Sequence, residues 1–272
     1  MLADLHLHST FSDGVYTPLE LLCCAERQGL HTIAITDHDS LNGYVESLKV
    51  RQQVSNPPEV IAGLELGTQL EAVSIHILGY HVDHTNKLLL NKIQELRLGR
   101  ETRLQKIIDK LLDLGYQVQV PGGSSANRAM GRPHVAKALV AQGYFPDIQA
   151  AFDTLLKRGA PAYVPQPKLA PQEAIALIHQ AGGIACLAHP SELANQQLVT
   201  KLIHNYVFDG IEVWHPSANK AEVHNWLTLA RQEHLVTAGG SDLHGPGRYP
   251  EHLGQFKVLY ENVQSVIEYK QI

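Results

Sequence analysis

Cysteine is scarce in this chain, with three in 272 residues. Cys23, Cys24 and Cys186 form neither a Cys-x-x-Cys pair nor an even disulfide framework, so we expect reduced, buried thiols. No apolar stretch approaches the ~20 residues that cross a bilayer, and the chain starts with a predicted strand instead of a basic, apolar leader. These absences predict a cytoplasmic protein without a membrane partner.

The chain also has fewer basic than acidic residues, with 22 Lys and Arg and 27 Asp and Glu, which gives a formal net charge of -5. That balance argues against a broad basic face for duplex DNA. The chain contains no Gly-x-Ser-x-Gly nucleophile elbow and no Walker loop, and Cys186 has no acidifying motif around it. Covalent hydrolases and nucleoside-triphosphate enzymes therefore lack support.

Short apolar runs rich in β-branched residues recur along the chain and predict strands. They cover residues 3–8, 32–36, 60–65, 74–80, 183–189, 210–214 and 236–241. Helical patterns separate most of them, and such alternation predicts a largely parallel sheet. Seven strands with polar residues at their far ends favour a closed or nearly closed α/β barrel over a doubly wound sheet.

The first helix has a clear start signal. Thr17 is the expected cap, Pro18 occupies the first turn, Glu20 completes a Thr-x-x-Glu capping box, and Gly29 ends the helix. A second amphipathic segment opens at Pro171 and ends at two glycines before another apolar run.

The alternation stops between residues 86 and 164, where leucine and isoleucine recur with helical spacing. We therefore expect an inserted helical subdomain over residues 86–164 and a barrel domain built from residues 1–85 and 165–272. Within the insertion, residues 121–125 predict a loop.

Imidazoles and carboxylates lie at or just beyond the ends of the apolar runs. They are His6, His8, Asp37, His38, Glu65, His76, His189, Glu212, Asp242 and His244. Residues at the carboxyl ends of barrel strands converge on one face, so these side chains predict a single metal-binding pocket. Nitrogen and oxygen ligands without thiolate suit manganese, iron or zinc, and we favour manganese.

The same residues fall into motifs. These are Asp4-Leu-His-Leu-His8, Thr36-Asp-His-Asp39, Gly63-Leu-Glu65, His76, Ala188-His-Pro190 and Ser241-Asp-Leu-His244. With them the chain resembles the PHP (polymerase and histidinol phosphatase) superfamily, which implies a distorted seven-stranded (β/α)7 barrel. Further motifs resemble its TrpH-type branch, of 3',5'-nucleoside bisphosphate phosphatases and 5'-3' exoribonucleases: Gly131-Arg-Pro-His134, Gly159-Ala-Pro-Ala-Tyr-Val-Pro165 and Gly210-Ile-Glu-Val-Trp-His-Pro216.

The resemblance implies two or three divalent metal ions. One would be held by His6, His8, Glu65 and Asp242, a second by Glu65, His76 and His189, and a third by Asp13, His38 and His244. A metal-bound hydroxide would then be the nucleophile, with Asp13, His38 and His189 also catalytic. Asp13 has an alternative interpretation as a turn residue in Ser12-Asp13-Gly14.

Substrate specificity is expected to come from the insertion. Arg132 and His134 stand at the start of a predicted helix, where free N–H groups and cations favour an anion. Arg100 and Arg103 share a face of the preceding helix. The alternatives are a plain helix cap for the first pair and a solvated helix face for the second.

The metal-ligand pattern predicts a metal-dependent phosphoesterase, and the resemblance implies one that removes the 3'-phosphate of nucleoside 3',5'-bisphosphates and trims short RNA from its 5' end. One alternative is a histidinol-phosphate-type phosphomonoesterase, and another is a regulatory module that binds metal without catalysis. We expect Glu212 and His215 to orient the metal ligands.

Overall fold

The computed structural model describes residues 1–71, 73–120, 131–165, 168–193, 195–247 and 249–269. The chain divides into two compact units, of which unit 1 comprises Met1–Asn91 with Leu169–Ile272 and unit 2 comprises Lys92–Lys168. The loop expected at residues 121–125 lies outside the described residues. That residues 86–164 form a separate domain stays a prediction.

The strands of unit 1 form one sheet in the order β7-β6-β5-β4-β3-β2-β1-β8. They are β1 (Leu2–Leu7), β2 (Leu30–Ile35), β3 (Glu59–Leu70), β4 (Val73–Tyr80), β5 (Ile184–Leu187), β6 (Gly210–Trp214), β7 (Val236–Gly239) and β8 (Val258–Leu259). The pairs β1-β2, β2-β3, β5-β6 and β6-β7 are parallel. The seven predicted strands are therefore present, and the α/β barrel fold is confirmed.

The sheet nearly closes between β1 and the segment after β7. Leu7 forms a parallel bridge with Leu243, whose carbonyl accepts a hydrogen bond of 3.2 Å from the His8 N–H. Closure depends on Gly240, because a Cβ at this position would lie 2.3 Å from the backbone nitrogen of His6. The chain after β7 thus comes directly beside the end of β1.

Strand direction is where the sequence-based prediction fails. β4 pairs antiparallel with both β3 and β5, and the unpredicted β8 pairs antiparallel with β1. His76 therefore does not follow the end of a strand as expected, since it lies in the first half of β4 opposite Gly67. Because β4 runs in reverse, its first half lies at the edge where its neighbours end.

The helices are α1 (Pro18–Arg27), α2 (Asn42–Val50), α3 (Lys87–Asp113), α4 (Arg132–Ala141), α5 (Ile148–Ala151), α6 (Pro171–Gln180), α7 (Gln196–Asn205), α8 (Lys220–Gln232) and α9 (Tyr260–Ile267). The capping box of α1 is present, with Thr17 and Glu20 bonded to each other's backbone N–H. Among the described residues, no helix is long and apolar enough to cross a membrane.

Each unit has an apolar core of its own. In unit 1, Leu5, Leu78 and Tyr80 are fully buried inside the barrel, and the Tyr80 hydroxyl donates to the Leu5 carbonyl at 2.9 Å. In unit 2, Leu104 and Leu139 belong to a buried cluster contributed by α3, α4 and the segment after α5. The barrel core lies beneath the imidazoles and carboxylates at the strand ends and supports them.

Candidate metal centre

Glu65, in the middle of β3, is the centre of a cluster of imidazoles and carboxylates. Its Oε2 lies 3.4 Å from His6 Nε2 and 3.2 Å from His8 Nε2. Asp242 Oδ1 lies 3.3 Å and 3.0 Å from the same two nitrogens. These four residues are all buried and place their polar atoms close enough to share one cation.

The other oxygen of Glu65 faces a different pair of rings. Its Oε1 lies 2.7 Å from His76 Nδ1 and 3.2 Å from His189 Nε2. His38 Nδ1 is 3.0 Å from Oε2, and His38, Glu65 and His76 also meet the spacing that a metal ion needs. The two oxygens of this one carboxylate therefore contact different sets of imidazole rings.

A third grouping forms around Asp13, in the loop after β1. Asp13 Oδ1 lies 3.2 Å from His244 Nε2 and 3.7 Å from His8 Nδ1, and its Oδ2 lies 3.9 Å from His38 Nε2. The four side chains could hold a metal ion. The structure thus brings together all nine ligand candidates: His6, His8, Asp13, His38, Glu65, His76, His189, Asp242 and His244.

The spacing and hydrogen bonding of the cluster atoms suit bound divalent cations. Among the described residues, His6 Nε2, His8 Nε2 and Glu65 Oε2 are buried and make no hydrogen bond. Ligands at ~2.1 Å from a tetrahedral metal are separated by about 3.4 Å, close to the spacing found here. Buried polar atoms without partners are costly, so a bound cation would satisfy them.

Hydrogen bonds on the far side of the rings set their tautomers. His6 Nδ1 lies 2.9 Å from Glu212 Oε1, and His244 Nδ1 lies 2.8 Å from the Asp242 carbonyl oxygen. Since both oxygens accept, each neutral ring carries its proton on Nδ1 and presents the Nε2 lone pair to the cluster. Glu212 Oε2 also accepts the backbone N–H of His189 at 2.7 Å, so Glu212 contacts two of the ligand candidates.

The cluster shifts the pKa values of its members in opposite directions. Burial lowers the pKa of His8, but Asp242 and Glu65 outweigh burial and raise it to about 10. Burial lowers the pKa of His38 to about 3 despite the nearby carboxylates of Glu65 and Asp13. Burial would raise the pKa of Glu65, but the imidazoles hold it well below its usual range. Cations would compete with these protons for the imidazole nitrogens.

Asp37 supports the site without facing it. Its Oδ1 accepts from the Ser9 N–H at 2.7 Å and the Ser12 hydroxyl at 2.5 Å, and its Oδ2 accepts from the Ser9 hydroxyl at 2.6 Å. These bonds use the carboxylate to hold the loop that carries Asp13. Asp37 was among the strand-end residues singled out from the sequence. Ser9, which follows His8, and Ser12, which precedes Asp13, were not.

Two of the ligand candidates, Asp242 and His189, have unusual backbone conformations, and Asp4 lies beside the first of them. Buried Asp4 accepts from the N–H groups of Ser241 at 2.8 Å and His6 at 3.3 Å, and burial raises its pKa to about 7. Asp242 and His189 have φ values of 50° and 28°, in the left-handed region that glycine favours. Such conformations cluster at functional sites, where the surrounding structure enforces them.

The expected substrate-binding arginines lie in unit 2. Arg103 and Arg132 have their guanidinium carbons 6.0 and 5.7 Å from the Tyr163 ring centre, and Arg100 lies beside Gly131. Burial, then the charge of Arg132, lowers the pKa of Arg103 to about 10. Arg103 is therefore half-buried among cations, unlike a residue on a solvated helix face.

His134 contributes to the start of α4 in the same unit. Its Nδ1 accepts the Gly131 N–H at 3.1 Å, so the helix-cap interpretation is satisfied in the structure. The bond places the proton of the neutral ring on Nε2. A cap through one nitrogen is compatible with anion binding through the other.

Two relatives match nearly the whole length of this chain in sequence. A 5'-3' exoribonuclease from Haemophilus influenzae is 34% identical over 270 residues, which are 97% of each chain. A 3',5'-nucleoside bisphosphate phosphatase from Chromobacterium violaceum is 29% identical over 263 residues, covering 94% of this chain and 92% of the relative.

A crystal structure from Bifidobacterium adolescentis, of a protein assigned as a metal-dependent phosphoesterase, superposes with a TM-score of 0.86. It has 29% sequence identity over 97% of this chain and 95% of the other. The PHP domain matches residues 4–268, which include every residue of the cluster. The chain belongs to the PHP domain family.

Proposed function

We propose that this chain is a metal-dependent phosphoesterase that removes the 3'-phosphate from nucleoside 3',5'-bisphosphates. The observation that carries the proposal is the cluster around Glu65, where nine imidazoles and carboxylates converge at spacings suited to several cations. The relatives named as an exoribonuclease and a nucleoside bisphosphate phosphatase support a nucleotide or RNA substrate.

We assign the residues to two or three divalent ions. The sets are His6, His8, Glu65 and Asp242 for the first ion, Glu65, His76 and His189 for the second, and Asp13, His38 and His244 for the third. Divalent ions in such a site lower the pKa of water and neutralise the phosphoryl oxygens under attack. Manganese is our preferred ion, with iron and zinc as alternatives, because the ligands are nitrogen and oxygen without thiolate.

Burial within the cluster indicates where a substrate approaches. The side chains of His6, His8 and Glu65 are at most 1% exposed and form its floor. The more exposed members, between 11% and 26%, lie on the solvent side: Asp13, His38, His76, His189 and His244. Of these we propose that Asp13, His38 and His189 contact the phosphate being cleaved, in addition to holding metal.

The retained 5'-phosphate needs a second anion site, for which we propose Arg100, Arg103, Arg132 and His134. Arg103 and Arg132 share one aromatic ring, and their mutual repulsion is part of what lowers the pKa of Arg103. A phosphate bound there would offset this repulsion and accept charge-assisted hydrogen bonds.

Short RNA with a 5'-phosphate offers the same groups at its first nucleotide, a 5'-phosphate and a 3'-phosphoester. The site would then remove nucleotides one at a time from the 5' end.

We also propose a cytoplasmic location, where nucleotides and short RNA are available and the three free cysteines stay reduced.

The direct test is phosphate release from adenosine 3',5'-bisphosphate by protein reconstituted with Mn²⁺, with products separated by chromatography. We expect adenosine 5'-monophosphate as the product, and faster cleavage of 5'-phosphorylated than of 5'-hydroxyl oligoribonucleotides. Metal analysis of the same sample should give two or three ions per chain.

His8→Ala, with one floor ligand removed, is the inactive control. If fully metallated, folded wild-type protein releases no phosphate from any of these substrates, the proposed function is wrong. If it cleaves monophosphates as well as bisphosphates, the second anion site is wrong while the phosphoesterase activity stands.

A further inference from the structure

His215, just after β6, directs Nε2 towards the cluster as His6 and His244 do, but its hydrogen bonds set the opposite tautomer. Its side chain is 3% exposed. Its Nδ1 lies 2.7 Å from the Ser217 hydroxyl, which can donate or accept, and accepts a hydrogen bond of 3.1 Å from the backbone N–H of Ser217. A backbone N–H can only donate, so Nδ1 must carry the lone pair. The neutral ring therefore has its proton on Nε2.

This Nε2–H points towards the metal ligands. It lies 3.6 Å from Asp242 Oδ2, which is longer than a hydrogen bond, and among the described residues this buried nitrogen makes no hydrogen bond. The ring centre is 6.2 Å from that of His6 and 5.5 Å from that of His189. The other oxygen of Asp242, Oδ1, lies 3.0 Å from His8 Nε2. The two oxygens of Asp242 thus face different partners.

His6 shows the opposite arrangement a short distance away. Its Nδ1 lies against the Glu212 carboxylate, which leaves the Nε2 lone pair towards the cluster. His6 is therefore prepared to bind a cation, and His215 is prepared to donate a hydrogen bond. The difference comes from the groups beside Nδ1, which are a carboxylate for His6 and the backbone N–H and hydroxyl of Ser217 for His215.

A different role for His215 has to be weighed, because Glu192, His215 and Asp242 have atoms close enough to hold a metal ion. Ligation through Nε2 would need a lone pair there and a proton on Nδ1, which would then oppose the N–H of Ser217. The Ser217 hydrogen bond therefore argues against a metal at this grouping.

We propose that His215 is a positioning residue: its Nε2–H, 3.6 Å from Asp242 Oδ2, attracts that oxygen electrostatically and so holds Asp242 Oδ1 towards His6 and His8. The inference rests on the proposed function, in which Asp242 is a metal ligand. Groups that orient metal ligands in this way contribute roughly 10–100-fold to metal affinity.

Binding of Mn²⁺ to metal-free protein, measured by calorimetry, tests the inference without an activity assay. His215→Gln keeps an N–H donor, and we expect its affinity within about threefold of wild type. His215→Met removes the donor at similar size, and we expect affinity to fall roughly 10–100-fold. His224→Met, at an exposed position on α8, is the matched control.

Equal Mn²⁺ affinity in wild type, His215→Gln and His215→Met would overturn the inference, as would equal losses in both variants, which would indicate packing alone. Failure of the proposed function gives a different result, namely no phosphate release by wild type that binds Mn²⁺ normally.

A second measurement needs no variant. Long-range ¹H–¹⁵N correlation spectra of histidine-labelled wild type, metal-free and with Zn²⁺, report which ring nitrogen of His215 is protonated. We expect the proton on Nε2 in both states. A proton on Nδ1 would contradict the inference and favour ligation by His215.

Discussion

Glu212 and His6 are joined by a hydrogen bond of 2.9 Å between Oε1 and Nδ1, and both side chains are fully buried. The bond sets the tautomer of His6, while the second Glu212 oxygen holds the backbone of His189. We predict that Glu212→Ala lowers Mn²⁺ affinity roughly 10–100-fold, because two ligands lose their support. Calorimetric titration of the metal-free variant measures the change.

Glu261→Gln, at an exposed position in the first turn of α9, is the control for removing a carboxylate. It should bind Mn²⁺ as wild type does. Unchanged affinity in folded Glu212→Ala would show that the hydrogen bond to His6 does not contribute to metal binding.

Glu65 has one oxygen towards His6 and His8 and the other towards His76 and His189. We predict that Glu65→Gln loses more than one metal ion per chain and lowers kcat/KM by more than about 100-fold, since it removes a shared ligand. Metal content after dialysis and phosphate release are the two measurements. Loss of a single ion would indicate that the carboxylate serves only one set.

The guanidinium carbon of Arg132 lies 5.7 Å from the ring centres of both Phe152 and Tyr163. We predict that Arg132→Ala raises KM for a nucleoside 3',5'-bisphosphate roughly 10–100-fold, as expected for losing a charged hydrogen bond of about 1.5–3 kcal/mol. KM for a 3'-monophosphate should change little. Steady-state kinetics on both substrates provide the comparison.

Arg158→Ala removes an exposed arginine of the same unit and is the control. If Arg132→Ala raised KM equally for both substrates, Arg132 would have no part in recognising the second phosphate. Arg132→Lys separates charge from geometry, since lysine lacks the planar fork that grips a phosphate with two bonds.

Metal binding should release protons near neutral pH. Asp242 and Glu65 overcome burial to raise the pKa of His8 to about 10, so the metal-free protein holds a proton there at pH 7.5. A cation needs the neutral imidazole, and the proton must leave. We predict a binding enthalpy that depends on the ionisation enthalpy of the buffer, in calorimetry with Tris and HEPES.

The effect of pH has a definite sign. Because the folded pKa of His8 is above its unfolded value of 6.5, protonation stabilises the metal-free protein fully below pH 6.5, and this contribution disappears as pH rises towards 10. Proton release on metal binding depends on the folded pKa alone, so it should fade only as pH approaches and passes about 10. Release that was absent at pH 7.5 would contradict the assignment of His8 as a ligand.

Thr17 caps α1, and its N–H and hydroxyl hold the pKa of the exposed Glu20 below its usual value. We predict that Thr17→Ala lowers the free energy of unfolding by about 1 kcal/mol at pH 7, measured in urea. A carboxyl group whose pKa is lower in the folded than in the unfolded chain stabilises the fold at pH values above its unfolded pKa of 4.5. This stabilisation disappears as the pH falls below that value. The Glu20 part of the loss should therefore shrink in acid.

Thr102→Ala is the matched control, since Thr102 is exposed within α3 and its hydroxyl donates to the Leu98 carbonyl one turn earlier. It should leave stability within about 0.5 kcal/mol of wild type. A Thr17→Ala loss that was no larger than this would show that the capping box does not stabilise the chain.

Most of the site could be predicted because its ligands occur in short motifs beside strong strand signals, as in Asp4-Leu-His-Leu-His8. Strand direction could not, because alternation in Ser74–Tyr80 is the same whichever way the strand runs. The two-residue β8 is too short for any periodicity. The contacts of Asp37 and His215 depend on neighbours that only the folded loops bring near.

The three hydrogen bonds that Asp37 accepts from Ser9 and Ser12 have a consequence for affinity. They hold the loop before Asp13 through contacts that need no cation. The conformational entropy of this loop is therefore lost when the chain folds, and cation capture does not have to supply it. A weakly coordinating ion could thus be retained at Asp13 where a loosely tethered carboxylate would release it.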